Sequence, residues 1–154
     1  MATADTLKAS LSAAKRFGIE LHVHEFKSAP YDFEAAFAEF ARAKVDALLP
    51  LPSGFFVPAR KTIPQLALKY RLPSLFNNYL WAEEGGLMSY GTNLSEIYRR
   101  AADQMAKVLR GVKPADIPFE QPTVVEMVIN MKTAKALGIT IPQGVWFRAE
   151  RVIE

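Results

Sequence analysis

Residues 124–142 read VVEMVINMKTAKALGITIP, and the change of period inside this stretch decides the fold class. Val125, Met127 and Ile129 recur at every second position, which places them on one face of a strand. The spacing then predicts a short helix over Lys132 to Leu137. Gly138 suits the left-handed turn that closes a helix, and Pro142 blocks a simple continuation. A strand feeding a helix within twenty residues is the unit of an α/β protein, and the same alternation runs back through the chain.

Upstream, Leu7, Leu11, Ala14 and Phe17 share one helical face that ends at Gly18. Ile19, Leu21 and Val23 alternate with Glu20, His22 and His24, predicting a half-buried strand. Phe33, Ala36, Phe37, Phe40 and Ala41 return to helical spacing behind Asp32, whose charge suits the helix dipole. Asp46 to Leu49 has the character of a short buried strand, cut off by Pro50 and Pro52. Val57, Ile63, Leu66, Ala67 and Tyr70 mark a third helix, with Pro58 in its first turn and Pro64 as a bend. A strand over Leu72 to Phe76, one helical turn around Tyr79 to Glu84 and a strand over Gly86 to Tyr90 follow. Asn93 and Glu96 form a capping box for the longest helix, which carries Leu94, Ile97, Tyr98, Ala101, Met105, Val108 and Leu109 on one side. The proline-containing Val112 to Pro122 is the best hinge.

This pattern predicts an α/β fold with three layers: a mostly parallel sheet with helices on both faces, flavodoxin-like in class. Doubly wound domains start on a central strand, whereas here a helix comes first. The sheet is therefore expected to lack its usual first strand, leaving backbone groups that another segment has to satisfy.

The chain has 154 residues, half of them apolar, and so carries enough material for a sizeable core. A net charge of +3, scattered over helix faces, excludes the concentrated basic stripe of a nucleic-acid binder. With no cysteine, disulfides, thiolate catalysis and cysteine metal sites are excluded. No apolar run approaches the ~20 residues needed to span a bilayer. The start lacks the basic and apolar regions of a secretory signal, so a polypeptide beginning at Met1 is expected to remain cytoplasmic.

Little in the sequence points to catalysis. His22 and His24 sit two apart without a spaced third ligand, and a solvent-facing strand explains them. Glu83 and Glu84 are adjacent, point apart and belong to a solvated turn. There is no nucleophile elbow, Walker loop or dinucleotide fingerprint. Neither an enzyme nor a cofactor is expected. In open α/β sheets, however, ligands bind beyond the carboxyl ends of the strands. Three such ends carry aromatic and neutral hydrogen-bonding side chains: Ser53, Phe55 and Phe56; Asn77 and Asn78; Ser89 and Tyr90. That chemistry suits a small polar or zwitterionic solute. Taken singly, the same residues also read as core aromatics and turn caps.

The segments GGLMSYGTNL (residues 85–94) and VVEMVINMKTAKALGITIP together resemble the C-terminal part of ABC-transporter substrate-binding proteins of the tryptophan/tyrosine-binding type. The resemblance covers nearly the whole chain but about half of such a protein. It implies a periplasmic-binding-protein-like lobe over residues 1–122 and a strand–helix tail over 123–154 that crosses back to the first lobe. It implies Ser53, Phe55, Phe56, Asn77, Asn78, Ser89 and Tyr90 as cleft positions for an amino acid or related aromatic. It also implies a transporter permease as partner and a periplasmic location. Without a first lobe, the tail strand is expected to pair with the second-lobe sheet, in its own chain or swapped into a homodimer. The competing expectation is a truncated cytoplasmic α/β module whose main activity is self-association.

Overall fold

A computed structural model describes residues 4–154; Met1, where the expected lobe and the expected start both begin, lies outside the described residues. Helix α1 (Ala4–Phe17) leads to an extended segment and then to α2 (Phe33–Arg42), whose first turn is capped by the Asp32 carboxylate accepting from the Ala35 N–H at 2.9 Å. A 3-10 turn over Gly54–Ala59 precedes α3 (Thr62–Lys69). Strand β1 (Leu75–Phe76), α4 (Tyr79–Glu83), β2 (Met88–Thr92) and α5 (Leu94–Leu109) follow. The chain ends with β3 (Val125–Asn130), α6 (Met131–Leu137), α7 (Gln143–Trp146) and β4 (Arg151–Ile153).

The four strands stand in the order β1-β2-β3-β4. β1 runs parallel to β2 and β3 parallel to β4, while β2 and β3 are antiparallel, with Tyr90 opposite Met127. Leu48 adds a single parallel bridge to Ser74 beyond β1. The mostly parallel α/β sheet is thus present, and among the described residues no segment fills the place of the usual first strand. β3, the strand that opened the sequence argument, is an inner strand paired within its own chain.

Two apolar clusters flank the sheet. Phe37, Ile63, Leu66, Ala67, Leu72, Phe76 and Trp81 join α2, α3 and α4 to β1. Leu87, Ile129, Ala134, Leu137 and Ile141 join β3 to α6 and the turn after it. Val128 and Ile129 point to opposite faces and neither touches solvent, so β3 is covered on both sides.

Asn130 ties the second cluster to the first. Its side-chain oxygen accepts from the Thr133 N–H at 3.0 Å, capping α6, and its Nδ2 donates to the Ala82 carbonyl at 2.8 Å. Both bonds are buried, so Asn130→Ala leaves a helix N–H and a carbonyl without partners. We expect a loss of about 2 kcal/mol in urea unfolding; a change under 0.5 kcal/mol would contradict these bonds.

Local signals are realised where their chemistry is self-contained. Asn93 caps α5 by accepting from the Glu96 N–H at 2.9 Å, and Gly138 ends α6 at φ 74°. Two expectations fail. Ile19 to Val23 is extended but belongs to no strand, and Ile19 and Val23 are exposed. The side that packs is the polar one: His22 Nε2 and His24 Nδ1 each lie 3.0 Å from a carboxylate oxygen of Glu39 on α2. The His22 hydrogen bond, reinforced by His24 against the cost of desolvation, holds the Glu39 carboxyl below its ordinary range. The second failure is the Asp46–Leu49 run, which pairs only at Leu48 and is largely exposed. Both segments lie where the sheet has no first strand to pair them.

Candidate functional site

Two parallel segments, the Leu48 bridge and β1, end side by side, and the loops that leave them enclose a depression of about 260 Å³. One wall is the Pro50–Phe56 loop. Ser53 starts its 3-10 turn, with Oγ accepting from the Phe55 N–H at 3.3 Å, and this orients the Phe56 ring inward. The opposite wall is Asn77 and Asn78. Asn78 Oδ1 accepts from the Leu80 N–H at 3.2 Å and so opens α4, while its Nδ2 donates to Asn77 Oδ1 at 3.4 Å. The helical turn begun by Asn78 carries Trp81 under the depression. There the indole stacks on Phe76, with ring centres 5.0 Å apart and planes within 4°.

Four of the expected residues, Ser53, Phe56, Asn77 and Asn78, are therefore brought together. Phe55 turns away beside them, 60% exposed, with its ring 6.4 Å from Tyr31. Ser89 and Tyr90 do not join the group. Ser89 is fully buried in the sheet, in register with Phe76 and Val128, and its hydroxyl has no hydrogen-bond partner. Tyr90 points to the other face and lines a separate, more open depression with Met127 and Phe147.

Sequence reasoning passed over the floor, Phe76 and Trp81, and the aromatic backing of Phe56. Phe26, Tyr31 and Phe33 all stand edge-on to that ring, with centres 5.8 to 6.2 Å away. A signal for Trp81 was present: an N-capping asparagine three residues before an aromatic, directly after a buried strand.

Every residue lining the depression is uncharged. The nearby acids are occupied: Glu84 lies 3.3 Å from the Arg60 guanidinium and Glu83 lies 2.9 Å from that of Arg151. Both histidines are engaged with Glu39. No cluster of three or more metal-ligating side chains exists among the described residues. Such a site offers flat apolar contact, amide and hydroxyl hydrogen bonds and no acid–base pair.

A family model described as ABC transporter substrate binding protein matches residues 2–153. A conserved domain protein from Vibrio cholerae O1 biovar El Tor superposes with a TM-score of 0.80 at 28% identity, over 97% of this chain and 50% of that one. An ABC domain from Streptococcus pneumoniae in complex with L-Trp gives a TM-score of 0.80 at 25% identity, over 97% and 52%. The ligand-free, open structure of a substrate-binding protein with adhesive properties from Clostridium difficile gives 0.68 at 16%, over 99% and 52%, and shows the shared fold. The chain thus spans about half the length of the structures it matches. No curated protein matches it.

Proposed function

We propose, from the premise that this chain belongs to the ABC transporter substrate-binding protein family, that it is one lobe of a solute-binding protein and forms one wall of the ligand cleft. One observation carries the reading. Two post-strand loops bring Ser53, Phe56, Asn77 and Asn78 onto one uncharged depression floored by Trp81. The solute we propose is an amino acid or related small aromatic, a class supported by the L-Trp held by the Streptococcus neighbour. Its ring lies against Phe56 and Trp81, and its polar groups meet the asparagine amides and the Ser53 hydroxyl. Phe55 serves at the rim and Ser89 supports β2 from beneath, while Tyr90 belongs to the separate depression. No step of bond chemistry is assigned. In the complete protein a second lobe closes over the solute, and a transporter permease outside the cytoplasm receives it.

Half a cleft binds weakly, so the test is a titration at millimolar ligand followed residue by residue. Adding L-tryptophan to the ¹⁵N-labelled chain is expected to shift the amides of Ser53 to Val57 and Asn77 to Trp81. Asn77→Ala and Phe56→Ala each weaken binding about tenfold, equivalent to ~1.4 kcal/mol. Shifts confined to the Tyr90 depression, or unchanged affinity in both variants, would remove these residues from the cleft.

A further inference from the structure

The Tyr90 depression opens where β4 and β3 part. Asn93 donates its N–H to the Val124 carbonyl at 3.0 Å, and Asn130 donates to the Leu87 carbonyl at 2.9 Å. The even-numbered residues of β3 therefore turn their backbone groups toward β2, and the odd-numbered ones turn theirs toward β4. Met127 obeys this rule. Its carbonyl accepts from the Glu150 N–H at 3.0 Å, and its own N–H donates to Glu150 Oε2 at 2.5 Å. Two residues earlier the ladder has stopped. Arg148 and Ala149 give their N–H groups to the Val145 and Trp146 carbonyls, at 3.1 and 2.9 Å, and so turn away from β3. Val125 is left presenting its N–H and its C=O to the wedge between the diverging segments, where neither has a backbone partner.

The wedge encloses about 490 Å³, within the roughly 300–1,000 Å³ of small-ligand sites. Tyr90 and Met127, opposite one another in the sheet, line one side, and Phe147 lines the other. Arg148 also lines it, and its guanidinium makes no hydrogen bond or ion pair among the described residues. Glu150 closes the end at Met127. The set combines an open strand edge, an unpaired cation, a carboxylate and an apolar wall. A free amino acid cannot use all of it, because it has no peptide group to pair with Val125.

We propose that this wedge binds a short peptide, three residues long with free termini, at a site separate from the Asn77 depression and independent of the solute proposed there. The middle residue lies opposite Val125 and exchanges two backbone hydrogen bonds with it, adding one rung to the sheet. Opposed residues share a face, so an apolar middle side chain meets Tyr90, Met127 and Phe147. The charges set the direction. Glu150 is anchored at Met127, so the peptide's ammonium lies at that end and its carboxylate at Arg148. The peptide thus runs antiparallel to β3, the orientation in which a single residue exchanges both bonds. Because the Glu150 backbone already occupies the Met127 rung, only one residue fits ahead of the middle one.

The test adds L-alanyl-L-phenylalanyl-L-alanine at millimolar concentration to the ¹⁵N-labelled chain. The amides of Val125, Met127 and Phe147 to Glu150 are expected to shift, and exchange at the Val125 amide to slow at least about tenfold. Methylating the peptide's phenylalanine nitrogen removes the donor to the Val125 carbonyl and weakens binding about tenfold, a control that cannot disturb the chain's own folding. Arg148→Gln weakens the free-acid peptide about tenfold and leaves the affinity of its C-terminal amide unchanged. The proposal is overturned if the N-methyl peptide or L-phenylalanine binds as tightly as the parent, or if exchange at Val125 is unaltered. It is equally overturned if the shifts fall on Ser53 to Val57 and Asn77 to Trp81, which would put the peptide in the other depression and leave the solute reading standing. Loss of the L-tryptophan shifts there would instead remove that reading and leave this one.

Discussion

Gly91→Ala is expected to cost at least ~3 kcal/mol and to leave little folded chain at 37 °C. A Cβ on residue 91 would stand 1.9 Å from the Asn77 carbonyl oxygen and 2.8 Å from its carbon. Both are backbone atoms of the segment leaving β1, so no rotamer change relieves the overlap. The two strands have to separate, and overpacking of this kind exceeds the 1–3 kcal/mol typical of an extra core methylene. Gly144→Ala is the matched control. No heavy atom lies within 4 Å of its added Cβ, and alanine is the better helix former, so the change is neutral or slightly stabilising. Chemical denaturation of both variants decides the point, and a Gly91→Ala cost below 1 kcal/mol would mean that Asn77 does not press on β2. Because Asn77 also lines the depression, the same variant is expected to lose solute contacts there.

Trp81→Ala has the next largest expected effect, about 3–5 kcal/mol, the usual range for deleting a buried tryptophan. The indole is 6% exposed and stacked on Phe76, itself buried. A Cβ on Gly86 would already lie 2.6 Å from the Phe76 ring and 2.9 Å from the Trp81 carbonyl oxygen, which shows how tightly the pair is packed against Gly86. The cavity left by the indole therefore stays open. Trp81→Phe restores part of the volume and is expected to recover more than half of the loss. Urea unfolding measures the cost, and fluorescence verifies the assignment because the remaining Trp146 is 43% exposed and emits further to the red. A Trp81→Ala cost under 1.5 kcal/mol would mean that the floor of the depression is loosely packed.

What the sequence made legible was chemistry completed within a few residues. The Asn93 cap of α5, the left-handed Gly138 and the strand at β3 are found, but the capping box is only half made: the Asn93 N–H goes to the Val124 carbonyl and the Glu96 carboxylate to Arg99 and Arg100. The loops beyond the strand ends were legible too, since fold class alone places them. Pairing was not. Ile19 to Val23 has a true strand period, but a strand needs a partner for its backbone, and no residue between 18 and 26 records whether one is present. The expected site residues are divided by a rule of geometry. Ser89 and Tyr90 are consecutive in β2 and so face opposite sides of the sheet; one cleft cannot use both side chains. Phe55 and Phe56, adjacent in a tight turn, are split in the same way.

β2 and β3 are antiparallel neighbours, with Thr92 opposite Val125, and the next backbone bond joins the Asn93 N–H to the Val124 carbonyl at 3.0 Å. Formally they are a hairpin whose turn has been inflated to roughly 30 residues, a length that costs the pair only ~2 kcal/mol more in closure entropy than a four-residue turn. Half of that insert is α5, a rod of about 24 Å at 1.5 Å per residue that buries none of its side chains. Its ion pairs run along its own surface, Glu96 with Arg99 and Arg100, and Arg99 with Asp103. The sheet asks only that the two ends of the excursion return to one point. The rest is a rod carried between two paired strands, tied to its own return segment where Arg100 lies 3.5 Å from Glu120.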